Sequence, residues 1–260
     1  MRSVNWSDYT TEELEEIIKE DSPVVIVPIG ATEQHGPHLA INTDADIGYQ
    51  IVKRVAETSP VKTLILPSVW TGVSPHHMNF CGTISIKQST LFALTYDILE
   101  SLIHHGVKRL LVVNSHGGNM ALLKTVTDEI GMNTGISPVY VTYWQLIADV
   151  IDDIRESKKG GMSHACELET SLKLLLSPQD VREDRFKDVM IEGDEFHSVD
   201  MFGGSKIDIY KPFKEYSPTG QIGAPSKASK EKGQQILDAL INKFHLLIKS
   251  KWLGGVGVED

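Results

Sequence analysis

The stretch VVIVPIGATEQHGPHLAINTDADIGYQIVKRVAET, residues 24–58, holds a strand, a polar segment and a helix in succession. Its first six residues are apolar and largely β-branched, which is typical of a short strand buried on both faces. Residues 44–58 have the apolar spacing of a helix. The segment between them holds two histidines and little that could pack a core. This order predicts an α/β unit whose polar segment follows the carboxyl end of a strand, where open α/β sheets bind ligands.

The rest of the chain repeats this alternation. Further strands are predicted at 63–67, 109–114 and 139–144, and helices at 89–106 and 119–133. Repetition of strand, helix and strand implies right-handed crossovers and a parallel sheet.

The remaining segments complete the chain without a second domain. Thr10 and Glu13 have the spacing of a capping box and predict a helix after Thr10. Residues 227–250 predict a final amphipathic helix. Residues 179–224 are rich in glycine and proline, and they predict long loops with a hairpin. We therefore expect a single domain over residues 1–260.

Composition narrows the class of protein. The chain has 260 residues, of which 41% are hydrophobic, and a formal net charge of −10. Such an acidic chain lacks the basic patches that bind nucleic acid, and no segment reaches the roughly 20 apolar residues of a membrane span. The N-terminus has no apolar leader segment, and together these features predict a cytoplasmic enzyme. Cys81 and Cys166 form no CxxC pair, and we expect both to be small buried hydrophobic residues.

The polar segment after the first strand has the composition of a metal site. In an extended chain Glu33 and His35 project to the same side, and Asp44 follows at the start of the next helix. Two carboxylates and an imidazole form a set of ligands that suits Zn²⁺ or Mn²⁺. The alternative is that both carboxylates are caps and the imidazole belongs to a loop. We expect His38 and Asp46 to support the ligands or to cap the helix.

Two further polar clusters follow later in the chain. His116 comes after a buried strand and before two glycines, which let a backbone turn sharply or approach a ligand closely. Alone it would be structural, but at the same sheet edge as the first cluster it becomes a candidate third ligand. On a helix that begins at Ser163, His164 and Glu167 share a face, and Glu169 flanks a stripe of leucines. A carboxylate there is costly unless it is paired or binds a metal; the alternative is a solvated pair of glutamates in the first turn.

With these clusters in place, the chain resembles the creatininase (creatinine amidohydrolase) family. The matching segments run in order: PIGATEQHGPHLAINTDAD, SPHHMNFCGTISI, LLVVNSHGGN, SHACELETSL and GAPSKASKEKG. The resemblance implies a doubly wound three-layer α/β/α sandwich with a mainly parallel sheet, often hexameric, which holds two adjacent divalent ions bridged by an aspartate. Carried over by position, the implied metal ligands are Glu33, His35, Asp44, His116 and Glu169, with Asp44 as the bridge.

The resemblance also implies roles for residues of the pocket. His164 matches a histidine implicated in proton transfer, and Glu167, one turn along, is expected to orient it. A serine and a tryptophan of the family match at positions 74 and 144, and two further residues are expected to touch the substrate. The expected substrate contacts are Ser74, His77, Trp144 and Gly117.

Two departures from the family pattern bear on the substrate. The creatinine-hydrolysing member has a His-Tyr-Glu run where this chain has His116, Gly117 and Gly118. A glutamate near the metals and a tyrosine that touches creatinine are therefore absent. The tryptophan and aspartate that precede the catalytic histidine are also missing, because Gly160 and Gly161 fall there. A planar heterocycle would lose its stacking partner, so we expect a substrate other than creatinine.

The expected function is metal-dependent hydrolysis. The resemblance implies two divalent ions, Zn²⁺ or Mn²⁺ with Fe²⁺ as a further candidate, whose bridging hydroxide attacks a cyclic amide or a related C–N bond in a small molecule. His164 would protonate the leaving group. Relatives that hydrolyse formamides or open the ring of a cyclic polyol ketone leave two other reactions open, and a metal-stabilised binding protein without turnover is a further alternative. By the resemblance, we expect a cytoplasmic homo-oligomer, most simply a hexamer.

Overall fold

A computed structural model describes residues 3–254 of the chain and places a four-stranded parallel sheet at its centre. The strands are β1 (Val24–Ile29), β2 (Thr63–Ile65), β3 (Arg109–Asn114) and β4 (Val139–Thr142), in the order β2-β1-β3-β4. All six residues of β1 are buried. β1 and β3 pair along their whole length, with Ile29 opposite Asn114, so their carboxyl ends lie side by side.

Helices cover both faces of this sheet. They are α1 (Thr11–Asp21), α2 (Thr43–Glu57), α3 (Gln88–His104), α4 (Met120–Thr134), α5 (Glu167–Leu176), α6 (Phe213–Tyr216) and α7 (Lys230–Lys249). Side chains alternate along a strand, so Val24 and Ile26 pack against α2, α5 and α7, while Val25 and Val27 pack against α3 and α4. The predicted three-layer α/β/α architecture is confirmed.

Most element boundaries lie close to those predicted. The bounds of β1 and β3 are those that the sequence predicts, and α1 begins with the expected capping box, in which the backbone N–H of Thr10 donates to Glu13 Oε2 over 2.9 Å. Two predicted strands are shorter. β2 stops before Pro67, which has no N–H to donate to a neighbouring strand, and β4 passes into a 3-10 helix at Tyr143–Ile147.

Two local predictions are wrong. Residues 179–224 form no local hairpin: the antiparallel bridge within them joins Val189 to the distant Gly223, and β6 (Ile222–Gly223) pairs antiparallel with β5 (Met162–His164), outside that region. Nor does a helix begin at Ser163, since that residue lies in β5 and α5 begins only at Glu167. Between the two, Ala165 has a φ of 51°, a left-handed conformation that ends the strand and turns the chain into the helix.

Two expectations from composition have different outcomes. Cys166 is buried as expected, but the prediction for Cys81 is wrong because that thiol is exposed in a turn. Within residues 3–254, no helix is both long and apolar enough to cross a lipid bilayer.

Candidate metal centre and active site

The polar clusters meet at the carboxyl edge of the sheet because the backbone is closely packed there. Gly30, just after β1, lies so near α2 that a Cβ atom on it would be 2.7 Å from the Cα of Ala45. This close approach holds the first turn of α2, with Asp44, against the end of β1. His116 reaches the same edge because it follows β3, the partner of β1.

The five side chains expected to bind metal converge on one point. His35 Nε2 lies 3.1 Å from Asp44 Oδ1 and 3.8 Å from Glu169 Oε1. His116 Nδ1 lies 3.1 Å from Asp44 Oδ2 and 3.3 Å from Glu33 Oε1. The two oxygens of Asp44 therefore face different histidines. All five residues are buried, and none exposes more than 5% of its surface.

Backbone carbonyl groups decide which ring nitrogen each histidine turns toward this cluster. His35 Nδ1 lies 3.1 Å from the carbonyl oxygen of Glu33, and His116 Nε2 lies 3.0 Å from that of Val73. A carbonyl oxygen can only accept, so these nitrogens carry the protons of the neutral rings. The opposite nitrogens, His35 Nε2 and His116 Nδ1, keep their lone pairs for a metal, in the arrangement usual for metal-binding histidines.

Several buried ligand atoms are left without a hydrogen-bond partner. Among residues 3–254 they include Glu33 Oε2, His35 Nε2 and Asp44 Oδ2. Buried polar atoms without partners are rare and cost free energy. Four overlapping groups of acidic and histidine residues here keep their ligand atoms within 4.8 Å of one another. Because oxygen and imidazole ligands suit Zn²⁺ and Mn²⁺, the residues present fit divalent cations.

The charges in the cluster indicate the same conclusion. Burial disfavours the ionised form of Glu33. The charges and hydrogen bonds of His116 and His77 outweigh this effect and hold the pKa of Glu33 well below its usual value. Burial likewise disfavours protonated His35, yet Asp44 and Glu169 raise the pKa of His35 well above its usual value. The carboxylates thus favour positive charge at this point, which metal ions would supply in place of protons.

His164 presents an unprotonated nitrogen to the cluster. Its Nε2 lies 2.7 Å from the carbonyl oxygen of Gln34, closer than its 3.0 Å contact with Gln34 Nε2, so His164 Nε2 carries the proton. The free Nδ1 lies 3.7 Å from Glu33 Oε1. Burial, with the charges of His35 and His77, lowers the pKa of His164 well below its usual value. A neutral imidazole in this position can accept a proton from a reacting group.

The side chain of Gln34 organises this part of the site, a role that the sequence analysis missed. Its Oε1 accepts from the backbone N–H of Gly36 over 2.9 Å, so its Nε2 is the donor to His77 Nδ1 at 2.8 Å. His77 therefore carries its own proton on Nε2, which lies 3.2 Å from Glu33 Oε1. The signal available in the sequence was the position of Gln34 between Glu33 and His35, two of the expected ligands.

Glu167 does not orient His164, and that expectation is wrong. Its two carboxylate oxygens accept from the backbone N–H groups of Glu156 and Ser157 over 2.8 and 2.9 Å, and Oε1 lies 2.7 Å from Lys232 Nζ. The three-residue helical spacing does not apply, because His164 lies on β5 and Glu167 begins α5. Glu167 instead ties α5 to α7 and to the segment before β5.

A cavity of about 340 Å³ opens beside the cluster. Three of the expected substrate contacts line it: His77, Trp144 and Gly117. Ser74 does not. It is completely buried behind His116, with its Oγ 3.2 Å from His116 Nε2, so it contacts that histidine and not the cavity.

Other residues of the cavity wall were not predicted. The ring of Phe213, at the start of α6, lies 4.0 Å from that of His77 and 4.9 Å from that of His164, measured between centroids. His76 stacks on His116 with a centroid distance of 5.8 Å and an interplanar angle of 2°. Residues 198–203 add another part of the wall, where Asp200 is held by Arg155 over 2.7 Å. No motif marks Phe213 or this segment in the sequence.

The two residues expected to support the ligands lie just outside the cluster. His38 Nε2 is 3.1 Å from Thr170 Oγ1, in α5. Asp46 accepts from Lys173 Nζ over 2.5 Å and from Ser177 Oγ over 2.7 Å, which joins α2 to α5. Both contacts connect the polar segment after β1 and the start of α2 to α5.

A family model and several known proteins match this chain in sequence. The family model for creatininase, described as creatinine amidohydrolase, matches residues 7–248. The chain is 31% identical over 232 residues to the mycofactocin precursor peptide peptidase of Mycobacterium tuberculosis, a match that covers 85% of this chain and 82% of that protein. It is 29% identical over 256 residues to the creatinine amidohydrolase of Pseudomonas putida, covering 92% and 94%.

Solved structures agree with this relationship. A mutant creatininase of Zn–Zn type superimposes with a TM-score of 0.82 at 27% identity, covering 97% of this chain and 99% of that one. A creatininase in a Mn form superimposes with a TM-score of 0.81 at 27% identity, covering 96% and 99%. With the family model matching nearly the whole chain and the buried cluster of histidines and carboxylates in place, this chain belongs to the creatininase family and is a hydrolase of that family.

Proposed function

We propose that Glu33, His35, Asp44, His116 and Glu169 would hold two divalent cations, with Asp44 as the residue that could serve both. The support is that the two oxygens of Asp44 face different histidines, and that one ligand atom on each of three of these residues has no hydrogen-bond partner. Zn²⁺ and Mn²⁺ are the candidates, because oxygen and imidazole ligands suit both.

We further infer that the reaction is hydrolysis of an amide C–N bond in a small molecule. Ions at this site would polarise the substrate carbonyl and lower the pKa of a coordinated water. His164 Nε2 donates its proton to the carbonyl oxygen of Gln34, so Nδ1 is the nitrogen that can accept a proton and pass it to the leaving nitrogen of the amide. His77 keeps Glu33 in place by donating from Nε2. The observation that carries the proposal is that Glu33, Asp44, His116 and Glu169 line the same cavity as His164, while the fully buried His35 contacts Asp44 from behind this wall.

Creatinine is not the substrate in this proposal. A Cβ on Gly118 would lie 2.1 Å from the carbonyl oxygen of Val73 and 2.5 Å from His116 Nε2. A glutamate, as in the creatinine-hydrolysing member, has no room there unless the backbone around His116 moves. The space beside Gly117 is open, and the chain lacks at this position the tyrosine ring that touches creatinine in that member. A peptide peptidase among the relatives is consistent with a linear amide instead.

We also propose that the protein acts as a homo-oligomer in the cytoplasm. The support is the family resemblance, together with large hydrophobic side chains on the surface of the chain. Trp70 and Met78 are each 55% exposed, and Ile84 is 46% exposed. Apolar surface of this kind is common where copies of a chain meet.

The metal site is tested by measuring bound Zn and Mn in the purified protein by mass spectrometry. We expect about two ions per chain in the wild type, and fewer in Asp44→Ala and His116→Ala, because each substitution removes a buried ligand. His105→Ala is the matched control, since His105 is an exposed histidine at the end of α3. Full occupancy in both ligand variants would contradict the site.

The reaction is tested on the metal-loaded protein with short peptides, cyclic amides, formamides, cyclic polyol ketones and creatinine. We expect turnover of an amide that chelation abolishes and that His164→Ala reduces about 10²–10⁴-fold with the metal retained. Turnover of creatinine at ordinary enzyme rates would overturn the substrate proposal. Bound metal with no turnover of any amide would contradict amide hydrolysis.

A further inference from the structure

A second cavity of about 320 Å³ adjoins the cavity beside the metal cluster. The two share five wall residues: His76, Ser163, Ser198, Val199 and Phe213. The ring of Phe213 contacts both His77, 4.0 Å away, and Tyr216, 6.1 Å away. Phe213 therefore lies between the inner cavity and this second one, which we call the outer cavity.

The outer cavity has a different chemical character from the inner one. Its wall includes Ile209, Tyr210, Tyr216 and Ile222, and no carboxylate among residues 3–254 lines it. The inner wall, by contrast, carries the carboxylates of the metal site and Asp200, which Arg155 already neutralises. The outer cavity thus offers rings and branched side chains against which an apolar group can pack.

One cation lies in this outer wall without an acidic partner. Lys211 Nζ lies over the ring of Tyr216, 4.2 Å from its centroid, and none of the ion pairs within residues 3–254 includes Lys211. Within the same residues it is the one lysine or arginine that lines either cavity. In a chain with a net charge of −10, a lysine that faces a cavity and lacks an acidic neighbour is available to an anion from outside.

We propose that the outer cavity binds the terminal carboxylate of the substrate through Lys211, and packs the adjoining aromatic or branched side chain against Tyr216 and Ile222. The substrate class is then a peptide-like amide with a free carboxylate, either an N-acyl amino acid or the C-terminal end of a peptide. This inference rests on the proposed amide hydrolysis and makes Lys211 a residue that determines specificity.

A binding experiment tests the site without turnover. 3-Phenylpropionate and its uncharged amide are titrated into the metal-free protein, in which no metal can bind the carboxylate. We expect the acid to bind about tenfold more tightly than the amide, because only the acid pairs with Lys211. Lys211→Met should remove this preference. Lys206→Met should keep it, since Lys206 also lies over a ring, that of Phe196, but lines neither cavity.

A kinetic experiment then tests the substrate class. Acyl-phenylalanine and longer peptides that end in phenylalanine are compared as free acids and as C-terminal amides, with the metal-loaded protein. We expect kcat/KM to be about tenfold higher for the acids than for the amides. Lys211→Met should abolish this preference, whereas Lys211→Arg should largely keep it. The shorter and longer substrates distinguish an amino-acid derivative from a peptide.

The outcomes separate the two proposals. Equal binding of acid and amide by the wild type, or an unchanged preference in Lys211→Met, would overturn the assignment of Lys211 while amide hydrolysis stands. If acid binding depends on Lys211 but no amide is hydrolysed by the metal-loaded protein, amide hydrolysis fails and the anion site is retained.

Discussion

At the scale of the residue, the chemistry depends on which ring nitrogen each histidine presents. His35 presents Nε2 and His116 presents Nδ1, because backbone carbonyls hold the other nitrogens. The local clusters of carboxylates and histidines were predictable from the sequence, since short motifs carry them. The ring orientation was not, because it depends on where the carbonyl of Val73 lies, far from His116 in the chain. Gln34 shows the same limit, as its partners include Gly220.

The two glycines after His116 allow a matched test of this packing. We expect Gly118→Ala to lower the free energy of unfolding of the metal-free protein by about 1–3 kcal/mol, because its Cβ would overlap the carbonyl oxygen of Val73. Gly117→Ala should change it by less than about 0.5 kcal/mol, since no atom lies within 4 Å of its Cβ position. Urea titration measures both. Equal stabilities of the two variants would show that this contact does not constrain the backbone.

At the scale of the element, the junction between β5 and α5 separates two residues that the sequence places together. A continuous helix would put Glu167 one turn from His164, but Ala165 turns the chain between them. His164 then faces the cavity, and Glu167 becomes a buried carboxylate that accepts from two backbone N–H groups and from Lys232. The sequence could not predict this turn, because it depends on the pairing of β5 with β6, which is distant in the chain.

The ion pair between α5 and α7 is expected to stabilise the fold rather than to take part in catalysis. Lys232→Met would leave Glu167, which is 0% exposed, without its cation, and we expect a loss of about 3–5 kcal/mol in the free energy of unfolding. Lys227→Met is the control: it removes a solvent-exposed pair with Glu156, so its effect on stability should be much smaller. Chemical denaturation compares them. A loss in Lys232→Met no larger than in the control would contradict a buried structural pair.

At the scale of the whole molecule, the site lies where the layers of the sandwich meet. The segment after β1, the end of β3 and the start of α5 supply the buried carboxylates and histidines of the candidate metal site, while α6 and residues 198–203 close the cavity. Burying so many histidines together also couples the stability of the fold to pH. His38 is one of these: burial and the nearby charge of His35 lower the pKa of His38 to about 4.

This buried histidine predicts a loss of stability in acid. The unfolded chain binds a proton at this position near pH 6.5, whereas the folded chain binds it only near pH 4, so stability falls as the pH drops below about 6.5. Between pH 7 and pH 5 we expect the metal-free wild type to lose about 1–2 kcal/mol more than His38→Gln, which keeps a polar group near Thr170.

Urea titrations of the metal-free proteins across this range measure the difference. His105→Gln, at an exposed histidine at the end of α3, is measured alongside as the control. Parallel curves for the wild type and His38→Gln would exclude His38 as a source of the acid sensitivity.

The amino-acid sequence by itself determined the alternation of strands and helices, the bounds of β1 and β3, and the local clusters of carboxylates and histidines, because hydrophobic period and clustered motifs are local properties. Only the tertiary structure decided that Ser74 supports His116, that Glu167 faces away from His164, and that Phe213 and Lys211 line the cavities. Each of these positions depends on contacts between segments far apart in the chain. Such contacts set the direction of a side chain through backbone pairing and packing, which local patterns of residues do not encode.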